Sequence, residues 1–141
     1  AASGELVSAK LGLGGRWVAL TALVDTGNTL TDPVSGRPVM VAEGERAKEL
    51  FPRDHRPGPG DLRDPTSALA HLGTGEWSRR FRLLPYRRGG EERGLLLAVR
   101  VDELELNGRG RGPVLVALSP TPVSDGGGYQ ALIGAVEEMA L

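Results

Sequence analysis

The residues of this chain best suited to chemistry are Asp25-Thr26-Gly27: a carboxylate at the end of an apolar run, a hydroxyl beside it, and then a residue without a side chain. An acid at the mouth of a buried strand is held at a fixed depth. The neighbouring hydroxyl can lock its loop by hydrogen bonding, and glycine leaves room for the backbone of a peptide substrate. One carboxylate alone is a poor catalyst of amide hydrolysis. Two that share a proton are a good one, because like charges a few ångströms apart resist double ionisation and the pair supplies an acid and a base together. The same tripeptide also reads as a plain turn, with the aspartate accepting backbone hydrogen bonds.

Other chemistries find less support. There is no cysteine, and His55 and His71 are the only histidines, so thiol nucleophiles, disulfides and Cys/His zinc sites are excluded or nearly so. Both histidines fall in an irregular stretch rather than at a strand end, where a serine triad would need one. Gly12, Gly14 and Gly15 miss the dinucleotide-binding spacing because Trp17 stands where the third glycine belongs, and no Gly-Lys-Ser/Thr phosphate loop occurs. No cofactor and no metal is expected. A net charge of -1, from 17 basic and 18 acidic residues, argues against a protein that wraps nucleic acid by bulk charge. One local run departs from this: Trp77, Arg79, Arg80, Phe81, Arg82, Tyr86, Arg87 and Arg88 interleave arginines with aromatics, as a surface for single-stranded nucleic acid would. That run also reads as a strand with one solvated face, diluted by Glu91 and Glu92.

The elements that must position these residues follow from composition and pattern. With 141 residues and 40% hydrophobic side chains, the chain suits one domain, 1–141, able to bury a core. No apolar run approaches the ~20 residues of a membrane-spanning helix, and Ala1-Ala2-Ser3-Gly4 lacks a secretory pattern, so the segment is expected to be soluble. Glycine and proline, 21 and 10 residues, against 4% aromatics predict short strands and many turns. A hairpin turning at Gly14-Gly15 leads into a buried strand from Trp17 to Val24, which ends at the aspartate. A second turn at Asp32-Pro33 and Ser35-Gly36 precedes an extended run, Pro38-Val39-Met40-Val41. Residues 44–50 suit one or two helical turns. Residues 51–75 read as a surface loop or extra lobe, with one short helix after Asp64-Pro65, where aspartate caps and proline takes the first turn. Two extended runs, Arg79 to Tyr86 and Gly94 to Val101, flank a polar hairpin tip. Leu104 and Leu106 alternate with glutamates before a turn at Asn107-Gly108, and Val114 to Leu118 is apolar enough for burial on both faces. Ala131 to Ile133 form a short strand stopped at Gly134, followed by a helical end at 135–141.

This order of elements resembles the retropepsin-like aspartic proteases from end to end. The resemblance is most specific at Ala22-Leu23-Val24-Asp25-Thr26-Gly27. It is specific again from Gly94 through Val114-Leu115-Val116 to Ser119-Pro120-Thr121-Pro122-Val123 and Leu132-Ile133-Gly134. A narrower likeness lies in Asp25-Thr26-Gly27-Asn28-Thr29-Leu30-Thr31-Asp32-Pro33, Pro38-Val39 and Leu84-Pro85-Tyr86-Arg87, which are similar to the C-terminal protease domain of the sporulation sigma-E factor-processing peptidases. Viral members usually carry alanine or serine where this chain has Asn28, so Asn28 and the following Asp32-Pro33 favour the sporulation branch.

The resemblance implies an all-β fold, a retropepsin-like closed β-barrel or sandwich with a flap hairpin and one short C-terminal helix. It implies a homodimer whose twofold axis supplies the second Asp25. In such a dimer Asp25 activates water, Thr26 ties the two loops together, and Gly27 and Asn28 support the loop or touch substrate backbone. Tyr86, Arg87, Arg88, Gly89 and Gly90 form the flap over substrate, while Leu132, Ile133 and Gly134 run beneath the aspartate loop. The partners implied are a second copy, a sigma-factor precursor as substrate and an activating signal protein, with no nucleic acid. Attachment to the membrane at the sporulation septum would come through an N-terminal domain absent from this chain, leaving this part cytoplasmic. A retropepsin-like module that dimerises and binds peptide without cleaving it, and the arginine/aromatic nucleic-acid surface, stand as the alternatives.

Overall fold

A computed structural model describes residues 4–28, 30–88 and 92–139. Its first hairpin joins β1 (Leu6–Leu13) to β2 (Arg16–Val24) through Gly14-Gly15, whose φ angles of 57° and 85° suit the tight primed turns of antiparallel hairpins. Alternation sets the faces: Val7, Ala9, Leu11 and Leu13 of β1 and Leu20, Ala22 and Val24 of β2 point into the core, while Ser8 and Lys10 stay exposed. After the aspartate loop and the turn that follows it, β3 (Met40–Glu43) runs directly into α1 (Gly44–Ala47) and a 3-10 turn at Lys48–Leu50.

Residues 51–79 fold into short helical pieces rather than a loop: a 3-10 turn at Arg53–His55, α2 (Pro59–Arg63), α3 (Pro65–Leu72) and a 3-10 turn at Gly75–Arg79. The local signals act as read. The Asp64 carboxylate accepts the Ser67 N–H at 3.4 Å, and Pro65 takes the first helical position. At α2, which the sequence reading did not foresee, the Asp61 carboxylate accepts the Gly58 N–H at 2.7 Å. Leu62, Ala68 and Leu72 then enter the main core beside Phe51.

The second half supplies β4 (Phe81–Arg88), β5 (Glu92–Val101), β6 (Glu103–Leu106), β7 (Arg109–Gly110), β8 (Val114–Ser119) and β9 (Ala131–Ile133). Among the described residues these nine strands make one sheet in the order β4-β5-β8-β3-β9-β2-β1-β6-β7. Two pairs are parallel, β2 with β9 and β3 with β8, so β9 is wedged between the strand that ends at the aspartate and β3. Central strands are buried on both faces. Val114, Val116 and Leu118 of β8 join the main core, while Leu115 and Ala117 join a smaller cluster on the other face with Val39, Leu84, Leu96 and Ala98.

Two expectations need correction. The sheet is not a closed barrel: β4 and β7 are its two edges, and a two-residue β7 offers too short a ladder to close it. Helix α3 packs instead on β4 and β5 and covers part of that face. Among the described residues the short C-terminal helix is only a 3-10 turn at Val136–Glu138, where the Glu138 and Met139 N–H groups bond three residues back, to the Ala135 and Val136 carbonyls, instead of four. Strand β7 was not anticipated; Asn107 and Gly108, with φ of 51° and 79°, fold it back onto β6. No helix among the described residues is long and apolar enough to cross a membrane.

Candidate active site

The backbone places Asp25 one residue beyond β2. Its N–H donates to the Ile133 carbonyl at 2.8 Å, which extends the parallel β2–β9 ladder by one bond and fixes the loop's entry. Its carbonyl accepts the Asn28 N–H at 2.8 Å, and its carboxylate oxygen Oδ1 accepts the Gly27 N–H at 3.0 Å. The turn reading and the catalytic reading therefore describe one geometry: a half-buried carboxylate clamped by its own loop. Thr26 and Gly27 are exposed. Asn28 Oδ1 accepts the Leu30 N–H at 3.3 Å, while Asn28 Nδ2 is buried with no partner.

Beneath the loop, Leu132, Ile133 and Gly134 lie where β9 ends. A Cβ added to Gly134 would sit 3.0 Å from the Asn28 carbonyl oxygen, closer than ordinary van der Waals contact, so glycine lets the loop and the chain leaving β9 approach. Ile133 is fully buried, and Leu132 faces a cleft. That cleft, about 810 Å³, runs along the aspartate loop at Gly27 and Asn28. Leu30, Thr31 and Pro33 form one wall and Pro85, Tyr86, Arg87 and Arg93 a second. Ser119 to Val123, Val41, Leu96 and Leu132 complete the lining. Asp25 stands beside the cleft rather than in its lining. Of the expected flap residues, Tyr86 and Arg87 line the cleft and Arg88 ends β4, whereas Gly89 and Gly90 lie outside the described residues.

The arginine/aromatic run does not form a continuous surface. Trp77 and Phe81 pack with Phe51 at centroid distances of 5.9 and 5.4 Å, and Trp77 stacks on His55 at 4.9 Å, so neither ring is presented for base stacking. Arg80 is held by Asp102 at 2.6 Å and Arg82 by Asp32 at 2.9 Å. Two of the arginines counted for nucleic acid are thus spent on neighbouring carboxylates.

Asp32 is the residue at this site that the sequence reading undervalued, treating it only as part of a turn. It is 6% exposed, its two carboxylate oxygens both lie 2.9 Å from Arg82 Nη1, and it also accepts the Val34 N–H at 2.9 Å and the Ser35 hydroxyl at 3.1 Å. An Asp-Pro turn with a serine three residues after the aspartate signals the local bonds, but nothing local points to Arg82. Burial alone would raise the Asp32 carboxyl; the Val34 amide, the Ser35 hydroxyl and Arg82 outweigh it and hold the group below the ordinary aspartate value of 3.8. At Asp102 the Gly14 N–H, at 2.9 Å, is the largest influence, and with Arg80 it outweighs burial and lowers that carboxyl too. A depressed folded-state value means that ionisation favours the native state. The stabilisation is complete above the unfolded value near 3.8 and is lost as pH falls through the lower folded values. Urea midpoints are therefore expected to fall below about pH 4. The Asp32→Asn variant is expected to show a flatter acid limb than wild type; an unchanged limb would contradict the assignment.

Comparison with known proteins places these features in a family. The model of a peptidase family, U4, described as sporulation factor SpoIIGA, matches residues 2–135. A sporulation sigma-E factor-processing peptidase of Priestia megaterium is 29% identical over 135 residues, 92% of this chain and 43% of that protein. The protein of the same description in Bacillus subtilis is 27% identical over 139 residues with the same coverage. A putative sporulation sigma factor-processing peptidase of Bacillus thuringiensis subsp. kurstaki is 25% identical over 138 residues, 92% of this chain and 81% of that protein. The chain thus spans less than half the length of the first two relatives. No solved structure matches it significantly.

Proposed function

The chain belongs to the sporulation factor SpoIIGA family of peptidases, and on that premise we propose that it is an aspartic endopeptidase domain which, as a twofold homodimer, removes the pro-segment of a sporulation sigma-factor precursor. The observation that carries this reading is the clamped Asp25 loop at the side of a peptide-sized cleft, with its carboxylate beside the lining rather than within it. One chain offers one such carboxylate, and acid–base hydrolysis by a shared proton needs two. A second copy related by a twofold axis brings its own Asp25 loop to the first.

In the paired site one aspartate is ionised and takes a proton from water as the water oxygen bonds to the scissile carbonyl carbon. The other gives its proton to the carbonyl oxygen, producing a tetrahedral diol. In the collapse of the diol the C–N bond breaks as the protonated carboxyl gives its proton to the leaving nitrogen and a diol hydroxyl gives its proton to the ionised carboxylate, so the pair again holds one shared proton. Thr26 braces the loops, Gly27 admits substrate backbone, and Asn28 orders the exit of the loop. The β4–β5 hairpin, with Tyr86 and Arg87, closes over the bound segment, while Leu132, Ile133 and Gly134 support the loop from below. The relatives' names supply the substrate class. In the longer parent protein a membrane domain and an activating signal protein would govern when the dimer acts.

Dimerisation is the direct test. Analytical ultracentrifugation of the purified chain is expected to show a concentration-dependent monomer–dimer equilibrium, and specific activity toward the precursor is expected to rise with the dimer fraction. Cleavage at full rate by a species sedimenting strictly as a monomer would overturn the reading.

A further inference from the structure

Two of the stretches whose residues line the cleft, the turn after the aspartate loop and β4, are tied together beside it by an ion pair between residues 50 positions apart in sequence. Leu30, Thr31 and Pro33, the immediate neighbours of Asp32, line one wall; Pro85, Tyr86 and Arg87, the continuation of the strand that carries Arg82, line the other. The turn bearing Asp32 is a closed unit. Thr31 bridges Pro38, the Val39 N–H donates to the Leu30 carbonyl at 3.1 Å, and the Gly36 N–H donates to the Asp32 carbonyl at 2.7 Å. Between turn and hairpin lies the smaller apolar cluster of Val39, Leu84 and Leu96, with Leu30 and Tyr86 packed against it.

We propose that the Asp32–Arg82 pair is a positioning strut that sets the separation of the two cleft walls, and so governs how a peptide is held against the aspartate loop. The peptide ligand rests on the function proposed above; the strut itself does not. Its physical basis is burial. The Asp32 side chain is 8% exposed, so the pair acts in a medium less polarisable than water, and a carboxylate deprived of Arg82 has to move outward to be hydrated. That movement carries Leu30, Thr31 and Pro33 with it, away from β4. Arg80–Asp102 is the natural comparison: the contact is shorter, 2.6 Å, but its side chains are 33% and 49% exposed, and no immediate neighbour of either residue lines the cleft, whereas Thr31 and Pro33 beside Asp32 do. Such an exposed pair contributes little.

Hydrogen exchange on the whole chain, in wild type and in Arg82→Gln, Arg82→Lys and Arg80→Gln, tests the strut without needing activity. In Arg82→Gln, exchange is expected to quicken roughly tenfold both at Val34, Gly36 and Val39 and at the β4 amides of Leu84 and Tyr86, with β1 and β2 unchanged. Arg82→Lys, which keeps the charge, is expected to recover most of the protection, and Arg80→Gln to leave both walls as in wild type. With the sigma-factor precursor, Arg82→Gln is expected to raise KM about tenfold while kcat stays within about threefold, the mark of lost ground-state positioning. Faster exchange in one wall only, the same change in Arg80→Gln, or a uniform loss across the sheet would each overturn the proposal. Should Arg82→Gln fail to fold, Asp32→Asn keeps an acceptor for the Val34 N–H, turns the Ser35 contact around so that the amide donates to the hydroxyl, and weakens the grip on Arg82. It is held to the same pattern at smaller amplitude. A wild-type chain that cleaves no precursor would sink the proposed function, while the exchange pattern still decides the strut.

Discussion

Asp25→Asn is expected to abolish precursor cleavage, by on the order of 10³-fold or more, the upper range for removing a positioned acid or base. The substitution is nearly isosteric. An asparagine Oδ1 still accepts the Gly27 N–H, and the main-chain bonds to Ile133 and Asn28 do not involve the side chain, so the loop geometry is retained. What disappears is the exchangeable proton. An amide can neither take a proton from water nor give one to the scissile carbonyl, and two amides facing each other hold no shared proton. Stability is expected to change by less than about 0.5 kcal/mol, as for a substitution that leaves packing intact. The proposed dimer adds a second readout. Excess Asp25→Asn chain mixed into a fixed amount of wild type is expected to depress activity, because mixed dimers carry a single aspartate. Equal cleavage by wild type and variant would remove the aspartyl mechanism altogether.

The largest effect on stability is expected from Phe51→Ala, a loss of about 3–5 kcal/mol. Phe51 is fully buried at the start of the helical segment, stacked on Phe81 with centroids 5.4 Å apart and rings 11° from parallel, and tilted 43° against Trp77 at 5.9 Å. Its carbonyl is gripped by Arg56 through two bonds of 2.9 and 3.2 Å, which hold the backbone in place while the ring is deleted. The cavity would open where the segment 51–79 meets β4, so this variant asks whether that segment is part of the domain's core. A midpoint shift in urea accompanied by altered Trp77 fluorescence is the expected result. A cost below about 1 kcal/mol would mean that the segment is an appendage.

Much of the site was legible because its signals are local. An apolar strand ending in Asp-Thr-Gly, a turn at Asp32-Pro33, alternation at Leu104 and Leu106, and the Asp64-Pro65 cap each act over a few residues, and each is found where the pattern puts it. The double burial of Val114 to Leu118 was legible for a related reason: a continuous apolar run has no face to spare for water. The arginine/aromatic run misled because spacing says which residues alternate but not which face finds a partner. Arg80 and Arg82 meet carboxylates 22 and 50 residues distant, and Trp77 and Phe81 turn inward onto Phe51.

The amino-acid sequence by itself determined the aspartate loop, the strand-rich class and the family, since turn chemistry, two-residue periodicity and motif order are written along the chain. Tertiary structure alone decided that the sheet stays open, that residues 51–79 become helical packing for its core, and that Asp32 and Arg82 meet in an ion pair. These depend on contacts between distant segments, whose free energy comes from burying surfaces together and is realised only once the whole fold has brought them into contact.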